Sequence, residues 1–256
     1  MASPAVKIEL GDTEVPRVGL GTNRLTSTSE NVTFVREAIA ARVGLIDTAH
    51  VYTGGRSEEA IGEALSPIPD GCVVATKGGW ASGGGAALRA EIEESLRRLR
   101  TDSIPLYYLH RVDPDTPLEE SVGVIEEHRD RGKIGHVGIS NVGVEQIERA
   151  RQIVPIAAVQ DEYNLSERKH EEVVDYCAEE GIVFVAYFPL RGDGPPVLGE
   201  IAERHGASPA QIALAWLLRR SPMMLPIPGT LSPEHLRENL AALEIELDDE
   251  EFEALR

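Results

Sequence analysis

Four side chains in this sequence could together donate a proton to a substrate. Asp47 and Tyr52 lie five residues apart in LIDTAHVY, Lys77 ends the segment VVATK, and His110 ends LYYLH. A tyrosine is a weak acid near neutral pH, and a nearby ammonium group favours its ionised form. Lys77, with its charge held by Asp47, could therefore make Tyr52 a usable acid. His110 could orient a carbonyl oxygen or relay a proton.

Such a group suits the reduction of a carbonyl by hydride, because negative charge builds up on the oxygen during the reaction. No side chain can supply hydride, so the chemistry implies a nicotinamide cofactor. Each residue alone also has a structural interpretation. Asp47 could cap a turn, Tyr52 could be a half-buried aromatic, Lys77 a solvated strand end and His110 a structural histidine. Only their combination at the ends of strands favours a catalytic site.

Apolar runs rich in Val and Ile alternate with amphipathic runs along the 256 residues. Such runs are typical of strands buried on both faces. The eight strand candidates are VPRVGLGT, LIDTA, CVVATK, IPLYYLH, HVGIS, IAAVQ, IVFVAYF and MMLPIP. Eight βα units predict a single-domain (β/α)8 barrel over residues 1–256. The alternative is an open doubly wound sheet, but VGLGTNRL has only GxG and no helix directly after it.

Active residues of such barrels come from the C-terminal ends of several strands. The four acid–base residues, together with Ser140, Asn141 and Gln160, lie at or close to such ends. We therefore expect them to meet on one face of the barrel.

Helix signals separate the strands. In AALRAEIEESLRRLR, the residues Leu88, Ile92, Leu96 and Leu99 share one helical face. Three segments predict helix starts with a capping residue followed by proline: Thr116-Pro117-Leu118-Glu119, Ser208-Pro209-Ala210-Gln211 and Ser232-Pro233.

The formal net charge of −18 argues against nucleic acid and anionic membranes as partners, because both need a basic surface. Cys72 and Cys177 lie far apart, so they predict neither a disulfide framework nor a zinc site. We expect no metal. No leader peptide or long apolar run is visible, and a cytoplasmic protein is the default expectation.

The order and spacing of these segments resemble the aldo-keto reductase superfamily. The resemblance covers nearly the whole chain, from VGLGTNRL through LIDTAHVYTGG, VVATKGG, GKIGHVGISN and AVQDEYNL to IPGTLSPEHLRENL. It implies reduction of an aldehyde or ketone with NADPH on a (β/α)8 barrel. The wording LHRVDPDTPLEE is most similar to bacterial branches that include pyridoxal-type reductases.

The resemblance also implies residue roles. Tyr52 would be the proton donor, tuned by Lys77 and Asp47, and His110 would orient the carbonyl. The implied cofactor contacts are Ser140, Asn141 and Gln160 at the carboxamide, Tyr187 on the nicotinamide ring, Thr22 and Asn23 near the ribose, Leu190 and Gly192 at the pyrophosphate, and Glu238 and Asn239 at the adenine.

Two departures from the family pattern affect the pocket and the cofactor. Many relatives carry Lys at Gly229 and Arg at His235, where they hold the 2′-phosphate. Here Thr230, Ser232, His235 and a helix start would take that place, so NADPH is favoured and NADH is possible. The chain ends at Arg256, whereas those relatives that have a long C-terminal tail use it to wall the substrate pocket. We expect an open substrate pocket lined by Val51, Trp80, Phe188 and Arg111, with Arg24 a further candidate.

Other functions are compatible with the same barrel. One is a non-catalytic barrel that binds NADP(H) as a regulatory subunit, and another is an NAD-dependent dehydrogenase of alcohols or sugars. A metal-dependent hydrolase lacks the His and carboxylate clusters that it would need. The family allows a monomer, and we expect a monomer or weak oligomer that acts on a small carbonyl compound.

Overall fold

The computed structural model describes residues 6–256, which form an eight-stranded parallel sheet preceded by a hairpin. The hairpin consists of β1 (Lys7–Leu10) and β2 (Thr13–Pro16). The parallel strands are β3 (Leu20–Gly21), β4 (Leu45–Asp47), β5 (Val73–Gly78), β6 (Ile104–Leu109), β7 (Ile134–Ser140), β8 (Ile156–Glu162), β9 (Val183–Tyr187) and β10 (Met224–Pro226). Each strand from β3 to β10 pairs with the next along the chain, as repeated βα units require.

Helices surround the sheet and cover the outer faces of its strands. They are α1 (Ser29–Ala40), α2 (Arg56–Leu65), α3 (Gly85–Leu99), α4 (Leu118–Asp130), α5 (Val144–Arg151), α6 (Glu171–Glu180), α7 (Val197–His205), α8 (Pro209–Arg220), α9 (Pro233–Ala241) and α10 (Asp249–Ala254). None of the helices within residues 6–256 is both long enough and apolar enough to cross a bilayer.

The first and last parallel strands join and close the sheet into a barrel. Gly19 N donates to Pro226 O at 3.0 Å, and Gly21 N donates to Pro228 O at 3.2 Å. Gly21 also forms a parallel bridge with Gly229. A Cβ at Gly21 would lie 2.8 Å from Ile227 O, so the seam needs a glycine at this position. The predicted (β/α)8 barrel is confirmed.

The N-terminal hairpin differs from the prediction. The segment VPRVGLGT was expected to be one strand, but Val15 belongs to β2 and the barrel strand is only Leu20–Gly21. Ile8, Leu10 and Val15 are buried against residues at the N-terminal ends of the barrel strands, such as Leu45. The hairpin thus closes the bottom of the barrel. Burial of these three apolar side chains stabilises the hairpin more than continuation of a single strand would.

The predicted helix signals are correct in most cases. Leu88, Ile92, Leu96 and Leu99 are buried on one face of α3. Ser208 caps α8 with a complete capping box, and Ser232 Oγ accepts from His235 N at the start of α9.

The capping box predicted at Thr116 is wrong. Pro117 is the N-terminal cap of α4 and makes no side-chain bond. The Thr116 hydroxyl instead donates to Asp113 Oδ2 at 3.2 Å, within the preceding turn. Such local side-chain bonds compete with helix capping.

Candidate active site

The four predicted acid–base residues lie together at the C-terminal end of the barrel. Asp47 ends β4, Lys77 is the last but one residue of β5, and His110 directly follows β6. Tyr52 begins a short 3-10 turn before α2. Parallel strands bring their carboxyl ends to one face, which explains why residues distant in sequence meet here. We call these four residues the acid–base tetrad.

Lys77 and Asp47 form a buried ion pair. Lys77 Nζ lies 2.5 Å from Asp47 Oδ1 and donates to Thr48 O at 2.6 Å. Gln160 Nε2 donates to Asp47 Oδ2 at 2.7 Å, so both carboxylate oxygens have partners. Burial lowers the pKa of Lys77, but the Asp47 carboxylate and Tyr52 outweigh burial and raise it above its usual value. Lys77 is therefore an ammonium group at neutral pH.

The Lys77 ammonium group faces the tyrosine hydroxyl. Its Nζ lies 3.5 Å from Tyr52 Oη, at the outer limit of a hydrogen bond, and 4.9 Å from the centroid of the ring. The positive charge of Lys77 is thus placed to interact with an oxygen atom that carries negative charge.

An arginine behind the site holds the loop that carries Tyr52. Arg98 Nη1 donates to His50 O at 3.1 Å and lies 3.2 Å from Glu58 Oε2, which is fully buried. Gly55 has a φ of 90° in the left-handed region, which favours glycine, and a Cβ there would lie 2.3 Å from the guanidinium carbon of Arg98. None of these positioning residues was predicted from the sequence. Arg98 comes from α3, and the pattern of α3 indicated only its buried face.

His110 is a neutral imidazole beside Tyr52. The two ring centroids are 5.9 Å apart and the rings are close to perpendicular. Burial, followed by the charges of Lys77 and Arg111, lowers the pKa of His110 to about 3. His110 can therefore donate one hydrogen bond to an oxygen atom without carrying a charge.

The residues predicted to contact the carboxamide lie in or beside one turn. Ser140 Oγ donates to Gln160 O at 2.7 Å. Asn141 has a φ of 60° in the left-handed region, and its Nδ2 donates to His110 O at 3.0 Å. Tyr187 Oη donates to Asn141 Oδ1 at 2.8 Å. We call Ser140, Asn141 and Val142 the 140–142 turn, and these bonds tie it to both His110 and Tyr187.

A cavity of about 600 Å³ opens beside the tetrad. It contacts three members of the tetrad (Asp47, Tyr52 and His110), and the fourth, Lys77, lies beneath them. The predicted cofactor residues that line it are Thr22, Asn23, Ser140, Asn141, Gln160, Tyr187, Leu190 and Gly229. The Thr22 hydroxyl is already engaged, because it donates to Asp47 O at 2.8 Å.

The remaining predicted cofactor residues do not line this cavity. They lie in the loop after β9 (Gly192), just before α9 (Thr230 and Ser232) and within α9 (His235, Glu238 and Asn239). Ser232 N donates to Thr230 Oγ1 at 3.0 Å, and Asn239 is 6% exposed. Their contact with the adenosine end of a cofactor stays a prediction.

Aromatic side chains stand at the mouth of the cavity. Trp80 is 47% exposed, and its ring centroid lies 4.7 Å from that of His110. Arg111 does not line the cavity but holds Trp80, because its Nε donates to Trp80 O at 2.6 Å and its guanidinium carbon lies 5.3 Å from the ring. Phe188 is 39% exposed. Val51 and Arg24 line the same opening.

Comparison with known proteins decides the family. The model of the aldo/keto reductase family matches residues 17–195 and 193–256. The chain belongs to this family. It is therefore a nicotinamide-dependent oxidoreductase, as the resemblance in the sequence implied.

Relatives in the aldo/keto reductase family match over almost their full length. Pyridoxine 4-dehydrogenase of Escherichia coli is 36% identical over 273 residues, which cover 96% of each chain. The structure of a thermostable aldo-keto reductase with the inhibitor epalrestat has a TM-score of 0.91 and 36% identity, and the match covers 98% of each chain. An aldo/keto reductase of Klebsiella pneumoniae in complex with NADP and acetate has a TM-score of 0.88 and 33% identity, with 98% of this chain and 94% of that chain covered.

The sequence interpretation of this aldo/keto reductase missed several cavity residues. Pro189 and Arg191 flank the predicted Leu190, and Ile227 and Pro228 precede Gly229. Their positions beside predicted residues were the only available signal. Gly21 was also missed, because its role at the barrel seam depends on backbone contacts with a distant strand.

Within residues 6–256, no group of three or more His, Cys, Asp and Glu side chains could hold a metal ion. Cys72 and Cys177 are free and buried, as expected for small apolar side chains. The polar side chains that line the cavity suit proton transfer and hydrogen bonding to an oxygen atom.

Proposed function

We propose that this aldo/keto reductase reduces an aldehyde or a ketone to an alcohol with NADPH, and that Tyr52 donates the proton. NADPH, when bound, supplies hydride to the carbonyl carbon. The Tyr52 hydroxyl gives its proton to the carbonyl oxygen as negative charge develops there. Lys77 stabilises the resulting phenolate, and His110 donates a hydrogen bond that orients the oxygen.

The observation that carries this proposal is the buried Lys77–Asp47 pair directly beneath the Tyr52 hydroxyl. An ion pair with both side chains at most 2% exposed is expensive to desolvate, and it adds little to stability compared with apolar packing. Its position facing a phenol and a neutral histidine gives it a chemical purpose. A barrel that only binds a cofactor would not need this arrangement.

The residues present fit a nicotinamide cofactor. Gln160, Ser140, Asn141, Tyr187, Leu190 and Gly229 all line the cavity, so one space joins the tetrad to these predicted cofactor contacts. Gln160 and Ser140 are 1% exposed and keep polar atoms at the inner end of this space. The complexes of the Klebsiella pneumoniae relatives with NADP and NADPH support NADPH as the cofactor of this chain.

The same site could catalyse either carbonyl reduction or the reverse reaction, alcohol oxidation. The Escherichia coli relative is named for oxidation of an alcohol, pyridoxine, and a glycerol dehydrogenase of Gluconobacter oxydans is 29% identical. With oxidised cofactor, ionised Tyr52 would accept the proton of the alcohol. Pyridoxal and pyridoxine therefore belong among the first compounds to test.

The direct experiment measures the loss of NADPH absorbance with a panel of aromatic aldehydes, methylglyoxal and pyridoxal, with NADH measured in parallel. We expect turnover with at least one aldehyde and faster turnover with NADPH than with NADH. Cofactor binding without turnover of any aldehyde or alcohol would favour the non-catalytic regulatory barrel. Faster turnover with NAD⁺ and alcohols would favour the dehydrogenase.

Replacement of Trp80 tests the proposed substrate wall. We expect Trp80→Ala to raise KM for aromatic aldehydes about tenfold with a smaller change in kcat, because an apolar wall contributes mainly to substrate binding. Steady-state kinetics measure both constants. Val6→Ala is a suitable control, since Val6 is also an exposed apolar residue (53%) but lies next to the hairpin at the other end of the barrel. Equal effects of the two variants would exclude Trp80 from the substrate site.

The protonation state of His110 can be measured directly. Because its pKa is lowered to about 3, we expect the imidazole to stay neutral down to about pH 4, whereas an ordinary histidine gains its proton near pH 6.5. Nitrogen NMR of the imidazole groups, assigned with His110→Gln, would follow this titration. Protonation of His110 between pH 5 and 7 would contradict the proposed role as a neutral donor.

A further inference from the structure

A carboxylate close to the proposed nicotinamide site lies outside the tetrad. Asp161 follows Gln160 in β8, and successive residues of a strand face opposite sides. Gln160 faces the inside of the barrel, where it bonds to Asp47. Asp161 faces the helices and is fully buried. A carboxyl group in this mainly apolar layer is unfavourable unless it makes specific bonds.

Asp161 bonds to the backbone of the 140–142 turn. Val142 N donates to Asp161 Oδ1 at 3.1 Å, and Asn141 N donates to Gln160 O at 3.1 Å. Two successive residues of β8 therefore hold two successive N–H groups of the turn. The turn needs such support, because Asn141 has left-handed backbone angles. The same turn carries Ser140 and Asn141, the proposed contacts of the carboxamide.

The second oxygen of Asp161 is poorly satisfied. Oδ2 is buried and has no hydrogen-bond partner among residues 6–256, and His170 Nδ1 lies 3.6 Å away, beyond a good hydrogen bond. Three other titratable groups interact electrostatically with this carboxyl group. They are Lys169 beside His170, Cys177 on α6 and Tyr187 on β9.

Both protonation states of Asp161 are accessible near neutral pH. Burial raises the pKa of Asp161 to about 7, although the N–H groups of the turn and the charge of Lys169 oppose this rise. Burial lowers the pKa of His170, so His170 does not supply a lasting positive charge to hold Asp161 ionised. The Asp161 carboxyl group that accepts a hydrogen bond from the turn therefore changes between a charged and a neutral form over the physiological pH range.

We propose that Asp161 is a positioning residue for the nicotinamide: its carboxylate holds the 140–142 turn in the shape that binds the cofactor, and protonation weakens cofactor binding. A neutral carboxyl group is a weaker acceptor for Val142 N–H than a carboxylate. By thermodynamic linkage, cofactor binding must then favour the ionised form and release a proton from Asp161. This inference rests on the proposed function, because it assumes that the turn contacts the nicotinamide.

Asp161→Asn is the test. Asparagine keeps the volume and an oxygen that can accept from Val142 N–H, and its amide can donate to His170, but it cannot titrate. We would measure the NADPH dissociation constant by fluorescence from about pH 8 to pH 6. As the pH falls from 8 to 6, the dissociation constant should increase in both proteins, and the factor of increase should be about five times larger in the wild-type protein than in the variant. The 2′-phosphate of NADPH titrates in both proteins, so the difference between the two profiles isolates Asp161.

If the NADPH dissociation constant depends on pH in the same way in the two proteins, the proposal is overturned and Asp161 is a purely structural residue. If the variant does not fold, carbon NMR of the Asp161 carboxyl group in the wild-type protein gives the same answer. Its pKa must fall when NADPH is added, and an unchanged titration midpoint would contradict the inference. Aldehyde reduction at pH 8 separates the two proposals. Turnover with parallel profiles rejects only the role of Asp161, whereas absence of turnover in both proteins rejects the proposed function.

Discussion

Tyr52→Phe is expected to lower kcat for aldehyde reduction by about 10³-fold and to leave the NADPH dissociation constant nearly unchanged. The substitution removes one oxygen atom, the hydroxyl oxygen that lies beside both the Lys77 ammonium and the cavity. Without a proton donor, the carbonyl oxygen would develop its negative charge with the help of His110 alone. Steady-state kinetics with saturating NADPH and fluorescence titration of the cofactor measure the two quantities.

Tyr176→Phe is the matched control for this experiment. The Tyr176 hydroxyl accepts a hydrogen bond from Arg151 at 2.7 Å on the outer surface of the barrel, far from the cavity. Its removal tests the general effect of losing a phenol oxygen, and we expect no loss of kcat. Full activity of the Tyr52 variant would contradict the proposed mechanism. A large loss of cofactor affinity would mean that Tyr52 shapes the cofactor site.

Lys77→Met is expected to abolish turnover and to lower the free energy of unfolding by about 3–5 kcal/mol. Lys77 is fully buried, and its removal leaves the Asp47 carboxylate buried without its counter-ion. The Tyr52 hydroxyl also loses the ammonium group that stabilises its ionised form. Urea unfolding monitored by circular dichroism gives the stability, and NADPH consumption gives the activity.

A double variant separates the two effects of Lys77. In Asp47→Asn/Lys77→Met, the buried charge is gone, so we expect most of the lost stability to return while activity stays absent. The exposed pair Lys7–Glu14 is the control, because its atoms lie 2.7 Å apart, close to the 2.5 Å of the buried pair, but its side chains are 57% and 60% exposed. Lys7→Met should change the stability very little. Recovery of activity in the double variant would show that Lys77 serves only to neutralise Asp47.

Local patterns predicted most of the barrel and the meeting of the tetrad. Buried runs such as VVATKG in β5 are long and apolar enough to be recognised, and polar residues at their ends indicate the active face. The hairpin was missed because β1 and β2 are only four residues each, and Val15 fits a strand in either arrangement. Its separation from β3 depends on what it packs against, which a local pattern does not contain.

Tertiary contacts explain the other omissions at the site. Arg98 and Asp161 each support a loop from an element that is distant in sequence from the loop. In the sequence, Arg98 is one of several charges on α3, and Asp161 is a polar neighbour of Gln160 with no indication of which way it faces. Their partners in these loops are backbone groups, and any residue type can supply a backbone carbonyl, or an N–H if it is not proline. A sequence pattern therefore cannot identify such partners.

The hairpin at the bottom of the barrel has a practical consequence for attaching this enzyme to other molecules. Ile8, Leu10 and Val15 seal the end opposite the cavity, so ligands reach the tetrad from the other end. A solid support attached through the exposed Lys7 of the hairpin would lie beside this sealed end. Tethering there should leave the entrance clear, whereas a tether on the loop that carries Trp80 would lie at the mouth of the cavity.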